Sequence, residues 1–302
     1  MGFAASSGGS AECVLDHVEF LRPTSLAEAL DAKAAHPDAV PIAGGTDVMV
    51  ELNFDHRRPA ALLDLTRVGE LAEWAATPDG TRLGAGVPYA RIIGELGDRL
   101  PGLAMASRTV GSPQIRNQGT VGGNLGAASP AGDTHPVLLA TDATVEVASV
   151  RGSRLIPIGE FYRGVKRNAL AADELITAVH LPAGGGPQQF SKVGTRNAMV
   201  IAVCSFGLAL HPEERRVGAG IGSAGPTPIR AVDAARFAAG ELSWDSPKPL
   251  TDSVARRFGE LVAEAASPID DVRGTAAYRR HALSVLARRT LTWAWKDYAR
   301  CA

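Results

Sequence analysis

Apolar positions along the first part of the chain change period several times, and each change marks an element. Ser25-Leu-Ala-Glu28 forms a capping box that opens an Ala-rich helix, and Pro37 ends it. A short apolar run from Ala39 to Ala43 then reads as a strand leading straight into Gly44-Gly45-Thr46-Asp47. Val48 to Leu52 starts a helical turn, and Ala61 to Leu65 is a second strand, so the first 70 residues predict a β-α-β unit. Next, Trp74–Ala76 and Arg82–Ala85 flank Pro78-Asp79-Gly80 as a hairpin. Tyr89–Leu96 and Leu103–Val110 have helical spacing, and a helical patch follows near Pro136–Leu139. Thr144–Ser149 alternates as a strand, Arg151-Gly-Ser-Arg154 reads as a turn, and Leu155–Ile158 returns. Leu175–Leu181 is a further strand.

Beyond Ala183-Gly-Gly-Gly-Pro187, read as a linker, Gln189–Val193, Met199–Leu210 and Arg216–Ile221 are strand-like or buried. Val254–Ala266 and Thr275–Trp295 are helical, with Met199 and Trp293 expected in the core and Glu160-Phe161-Tyr162 packing a loop between strands. The fold class is α+β. The expected division is a flexible tail over 1–13, a first domain over 14–185 (subdomains 14–70 and 71–185), and a C-terminal α+β domain over 186–302.

Composition narrows the function classes. The 302 residues carry 31 basic and 32 acidic side chains, interspersed, so no basic stripe favours nucleic acid. Cys13, Cys204 and Cys301 are scattered without metal-ligand spacing, which predicts neither a disulfide framework nor an iron–sulfur site and fits a reducing cytoplasm. Met1-Gly2 with Ser6 matches a myristoylation pattern short enough to arise by chance. No stretch approaches the about 18–20 continuous apolar residues needed to cross a membrane. His56 and His135 have no metal-like partners and receive no role.

The informative segment runs from Gly111 to Asp133, a nearly charge-free series of small residues, hydroxyls and amides. Such a run offers bare backbone: without Cβ, N–H groups can approach a ligand closely. With Pro41-Ile-Ala-Gly44-Gly45-Thr46-Asp47 it makes two glycine pairs, each beside a threonine, which points to a large anionic ligand. A literal G-x-G-x-x-G at Gly220, Gly222 and Gly225 is a poorer candidate. Pro226 and Pro228 follow at once, where a dinucleotide fingerprint requires a helix, so this segment reads as a strand end and turn. No G-x-x-x-x-G-K-[ST] is present.

The two glycine motifs, in this order and separated by a β-rich segment, carry a family resemblance. The chain resembles the FAD-binding (medium) subunit of the molybdenum hydroxylases, the group of xanthine, carbon monoxide and aldehyde or N-heterocycle oxidoreductases. Family-like elements are Ala43-Gly-Gly-Thr-Asp47, Gly111-Ser-Pro-Gln-Ile-Arg116, Thr120 to Asp133, Asp173-Glu-Leu-Ile176, Lys192 with Arg196, and Pro226-Thr-Pro-Ile-Arg230. The resemblance implies a two-part FAD-binding domain of the vanillyl-alcohol-oxidase (PCMH) type. A smaller α+β domain of the carbon monoxide dehydrogenase flavoprotein C-terminal type would follow it.

On that resemblance Pro41, Ile42, Ala43, Gly44, Gly45, Thr46, Asp47 and Val48 wrap the pyrophosphate and ribityl region. Thr120, Val121, Gly122, Gly123 and Asn124 form a second cradle, and Asp133 accepts from a sugar or ribityl hydroxyl. Val110 lines the adenine side, Ile176 contacts the adenine or flavin region, and Lys192 stands near the isoalloxazine carbonyls. Two plainer readings stay open: Asp133 as a helix N-cap, and Lys192 with Arg196 as a surface strand pair. Where some family members place an aromatic ring against the flavin, this chain reads Ala198-Met-Val-Ile201.

The implied function is electron transfer within a complex. A large molybdenum-cofactor subunit would hydroxylate substrate, a small subunit with two 2Fe-2S clusters would relay electrons, and FAD would pass them to NAD+, O2 or another acceptor such as a quinone. A dimer of heterotrimers is the implied assembly. The rival readings are a self-sufficient FAD-dependent oxidase or dehydrogenase, and a non-catalytic scaffold.

Overall fold

The computed structural model describes residues 18–183 and 185–301. The tail, the myristoylation pattern, Cys13 and the centre of the linker lie outside the described residues.

Three larger sheets follow one another along the described residues, and a two-stranded ribbon within the segment 158–174 makes a fourth. The first is small and parallel: β1 (Glu19–Leu21) and β2 (Val40–Ile42) flank β3 (Ala61–Asp64), with α1 (Leu26–Ala35) and α2 (Val48–Asn53) as connections. The capping box at α1 is shifted by one residue. Ser25 accepts from the Glu28 N–H, while the Glu28 carboxylate returns to the Thr24 backbone and hydroxyl.

The second sheet is antiparallel and five-stranded. Its members are β4 (Trp74–Thr77), β5 (Gly80–Gly84), β6 (Thr144–Ser149), β7 (Gly152–Pro157) and, after the segment 158–174, Leu175–Pro182 as its central strand. The turn between β6 and β7 is tighter than its sequence indicates. Ser149 pairs directly with Gly152, whose φ of +124° explains the glycine. Between β5 and β6 lie α3 (Tyr89–Glu95), α4 (Pro101–Arg108), α5 (Pro113–Gln118), α6 (Val121–Ala127) and α7 (His135–Ala140). The segment 158–174 holds α8 (Ile158–Phe161), β8 (Tyr162–Gly164) and β9 (Arg167–Asn168), and Leu175–Pro182 is β10. Leu83, Ile92, Leu103, Val121, Leu125, Leu138, Val145 and Phe161 close one core between this sheet and its helices.

The glycine-rich run is thus more regular than a bare loop. Ser112 caps α5 by accepting from Ile115, Pro113 sits at its first position, and Thr120 caps α6 by accepting from Gly123. Two fully buried side chains, Val121 and Leu125, are enough to anchor α6 to the core.

The third sheet is β11 (Gln188–Val193), β12 (Cys204–His211), β13 (Arg216–Gly222) and β14 (Ile229–Arg230), all antiparallel. Helices α9 (Val232–Glu241), α10 (Asp252–Ala265) and α11 (Ala276–Cys301) cover one face through Phe206, Phe258, Leu283, Leu291 and Trp295. Its other face is nearly bare. A Cβ on Gly218 would stand 1.8 Å from the Ala140 carbonyl, and one on Gly220 would stand 2.2 Å from that of Pro136. A Cβ on Gly207 would stand 2.7 Å from the Pro136 carbonyl carbon, and one on Gly222 would meet Ser205 Oγ at 2.4 Å and the Pro136 ring at 2.8 Å. The sheet therefore seats the backbone of α7, and the G-x-G-x-x-G motif is a strand end and turn: Gly220 and Gly222 pack at the end of β13, and Gly225 lies in the turn beyond it.

Two residues expected in the core lie outside it: Met199 is 54% and Trp293 45% exposed. Met199 belongs to the turn 194–203 that precedes β12, where its φ is +50°, and Trp293 lies on the exposed side of α11, which packs on β11 and β12.

Candidate cofactor site

The two glycine motifs meet in space. After β2 the chain turns through Ala43-Gly44-Gly45-Thr46, with Gly45 at φ +69°, and enters α2 at Val48 with Asp47 as its N-cap residue. Gly44 lies flat against the end of α5: a Cβ there would stand 1.8 Å from the Gln118 carbonyl oxygen and 3.0 Å from the Gly119 nitrogen. Only glycine allows this approach. Pro41 and Ile42 belong to β2 and pair with Leu63 and Asp64 of β3, Pro41 exposed and Ile42 half-buried.

The second glycine pair divides into two roles. Gly122 is buried and donates its N–H to the Ala85 carbonyl at 3.1 Å, and a Cβ would meet Ala85 at 2.5 Å. Gly123 is exposed, and a Cβ there would meet only the Thr120 hydroxyl oxygen, at 3.2 Å. Thr120 Oγ1 accepts the Gly123 N–H at 2.9 Å, which leaves the hydroxyl proton available to a ligand. Val121 points into the core, and Val110 packs against the same core. Asn124 Oδ1 is taken by the Thr134 hydroxyl at 2.6 Å. Ile176 is buried in β10, with its Cδ1 4.0 Å from where a Gly126 Cβ would lie.

The third wall joins residues distant in sequence. Lys192, at the end of β11, places Nζ 2.6 Å from Asp133 Oδ2, 2.9 Å from the Thr109 carbonyl and 3.2 Å from the Val200 carbonyl. Both side chains are about nine-tenths buried. Lys192 is therefore not a surface partner of Arg196, which instead donates to the Ala198 and Met199 carbonyls within the 194–203 turn. Nor does Asp133 cap α7: Thr134 is the N-cap residue, with no side-chain cap bond. Burial pushes the Asp133 carboxyl above its ordinary range, while the charge and hydrogen bond of Lys192, then Thr109, pull it down. Its second oxygen, Oδ1, is buried with no hydrogen-bond partner.

Tyr89 gave no signal in the sequence beyond its place at a helix start. It is 2% exposed, its N–H bonds the Gly119 carbonyl, and its ring lies against Gly119. Burial raises its phenol, the carboxylates of Asp133 and Asp47 raise it further, and Thr134 partly offsets them. One phenol thus feels both the first glycine turn and the Asp133 wall. Arg116, read only as part of a motif, fixes the intervening turn by donating to the Val110 and Gly111 carbonyls.

This arrangement fits a large anionic cofactor bound by backbone. It has two turns where Cβ is excluded, an open face at Gly123, and a buried carboxylate oxygen lacking a donor. Among the described residues no cluster of three or more His, Cys, Asp or Glu could hold a metal ion, and no helix is long and apolar enough to cross a membrane.

Comparison with known proteins agrees with this geometry. The FAD-binding domain of molybdopterin dehydrogenases matches residues 16–184, and the carbon monoxide dehydrogenase flavoprotein C-terminal domain matches residues 189–294. The xanthine dehydrogenase FAD-binding subunit of Escherichia coli O157:H7 is 29% identical over 296 residues, covering 92% of this chain and 96% of that one. The nicotine 6-hydroxylase medium subunit of Paenarthrobacter nicotinovorans is 31% identical over 285 residues, covering 92% and 97%. Among solved structures, reconstituted CO dehydrogenase from Oligotropha carboxidovorans superposes with a TM-score of 0.86 at 25% identity, over 93% of this chain and 98% of the other. The fold and site define a flavin-binding oxidoreductase subunit. The chain belongs to the FAD-binding subunits of the molybdenum hydroxylases, of the xanthine and carbon monoxide dehydrogenase type.

Proposed function

We propose that this chain is the electron-transfer flavoprotein of a heteromeric molybdenum hydroxylase. It takes electrons from the 2Fe-2S clusters of a small partner and delivers them to NAD+, O2 or another acceptor, while a large molybdenum subunit hydroxylates the substrate. A dimer of such heterotrimers in the cytoplasm is the proposed assembly. Residues 14–185 would carry the cofactor and 186–302 would complete its pocket. The relatives named as FAD-binding and medium subunits support this reading.

FAD, when bound, supplies the exchange between one-electron donors and a two-electron acceptor. The work proposed for the chain is to hold it. Pro41 to Val48 would enclose the pyrophosphate and ribityl region, and Thr120 to Asn124 would form the second wall. Val110 and Ile176 would bound the adenine side, and Asp133 Oδ1 would accept a hydroxyl proton. Lys192 would set a fixed positive charge near the flavin carbonyls, where it favours negative charge on reduction.

The carrying observation is that the site's own ionic groups are engaged with each other. All three Lys192 donors have acceptors, and one Asp133 oxygen is bound to that ammonium. That is the design of a binding site tuned by charge, and it disfavours a base reserved for substrate. The test is purification of the full chain alone. It is expected to carry flavin absorbance and to turn over no substrate until partner subunits are added. Turnover by the isolated chain would favour the self-sufficient oxidase, and refusal of added FAD would favour the scaffold.

Gly123→Val separates binding from folding. Its Cβ meets only Thr120 Oγ1, so thermal stability should change little. A branched side chain on the open face should weaken FAD retention by roughly tenfold or more. Stoichiometric FAD in the purified variant would remove Gly123 from the site.

A further inference from the structure

Behind the turn that carries Asp133 lies a histidine with 0% exposure. His135 Nδ1 is 2.7 Å from the Tyr162 hydroxyl, and the two rings meet edge to face with centroids 5.0 Å apart. The opposite edge of the imidazole lies against Gly132. A Cβ there would stand 2.2 Å from Nε2, 2.4 Å from Cδ2 and 2.9 Å from Asn124 Nδ2. The turn closes over the ring through Gly132 N–H to the Ser129 carbonyl at 3.0 Å and His135 N–H to the Gly132 carbonyl at 3.3 Å. The imidazole is thus wedged between an anchored phenol and the peptide just before Asp133.

Burial keeps this ring neutral, pushing its pKa down to about 3, with the Ser129 backbone offsetting part of the effect. Nε2 has no hydrogen bond of good geometry, and two residues earlier Asp133 Oδ1 has none either. Buried polar groups are nearly always paired, so the orphan oxygen of Asp133 marks a place completed by a polar ligand, while Nε2 is closed in against Gly132.

We propose that His135, locked by Tyr162, is a positioning residue of the flavin site: it props the Ser129–Asp133 turn so that Asp133 Oδ1 faces the cofactor. The inference rests on the reading that Asp133 faces FAD. Lys192 fixes one carboxylate oxygen from the C-terminal side, and His135 fixes the backbone behind the other. Rotation of the turn would carry Oδ1 away from the cofactor while leaving the rest of the cradle intact.

The experiment titrates FAD into the full-length apoprotein, following flavin fluorescence and visible circular dichroism alongside thermal unfolding. Tyr162→Phe removes only the anchor and should raise the FAD Kd about fivefold, the scale of one hydrogen bond. His135→Leu should raise it roughly tenfold or more, alter the flavin dichroism and lower the unfolding midpoint. The double variant removes both ends of the buried bond, so much of the midpoint should return while the Kd stays raised. If Kd and dichroism return with the midpoint, His135 is only a packing residue and the inference is overturned. If His135→Leu does not fold, Tyr162→Phe decides alone: an unchanged Kd and dichroism overturn the inference. Asp133→Asn distinguishes the two readings. An unchanged Kd in that variant refutes the placement of Asp133, whereas a raised Kd there with wild-type binding in the Tyr162 variant refutes the role of His135.

Discussion

Gly220→Ala is expected to destabilise the protein by about 3 kcal/mol or more and to release FAD with it. The new methyl would stand 2.2 Å from the Pro136 carbonyl oxygen, 2.9 Å from its carbon and 3.0 Å from its Cα. Those atoms belong to the backbone of a helix with Val137, Leu138, Leu139 and Ala140 buried, so no side chain can swing aside. Either the sheet or α7 must shift. Because α7 begins two residues after Asp133, a shift of the helix moves the carboxylate as well. Calorimetry should show a midpoint lowered by about 6–12 °C, at roughly 2–4 °C per kcal/mol for a domain of this size. Gly94→Ala is the control: it lies within α3 with nothing inside 4 Å of the added Cβ and should be neutral or mildly stabilising. Equal midpoints for the two variants would refute the seating of α7 on the glycine face.

That contrast shows what a glycine in a sequence discloses and what it withholds. It announces that a side chain is unwelcome, but not which surface excludes it. Gly44 is closed by the Gln118 carbonyl, Gly122 by Ala85, Gly220 by Pro136, while Gly123 is exposed and meets only the Thr120 hydroxyl. All four look alike in a string of letters. The element pattern was legible wherever a period ran for several residues, as in α1, β6, β10 and α10, and at caps such as Ser25. It misled at Met199, where an apolar letter adjoins a real strand but the chain is still turning at φ +50°. The site was legible where backbone-rich motifs cluster in sequence. Lys192 and Asp133, 59 positions apart, could be joined only through a family resemblance, because the packing of β11 beside α4 and α7 brings them together. Tyr89 and His135 left no trace, since a buried aromatic or imidazole has the same sequence signature in any core.

Lys192→Met is expected to cost about 3–5 kcal/mol near neutral pH, the scale for removing one partner of a buried ion pair. The pair is 2.6 Å apart with side chains 10% and 9% exposed, so solvent cannot replace the lost ammonium. Burial already raises the Asp133 carboxyl above its ordinary value of 3.8. A carboxyl whose pKa is higher folded than unfolded binds a proton more readily in the fold, so stability falls as pH climbs through that window. Loss of Lys192 removes the two largest opposing influences, and the folded-state value climbs further. The deficit of the variant should therefore be greatest at neutral pH and shrink in acid, where Asp133 is protonated in both proteins. Denaturant unfolding at about pH 7 and at about pH 3, below the ordinary carboxyl value, measures this directly. Lys192→Met with Asp133→Leu should recover most of the stability, since replacing both charges with apolar groups is often neutral. FAD affinity should stay low, because the double variant lacks both the fixed charge and the Oδ1 acceptor. A deficit independent of pH, or full recovery of FAD binding, would refute a carboxylate held ionised by Lys192 for the cofactor.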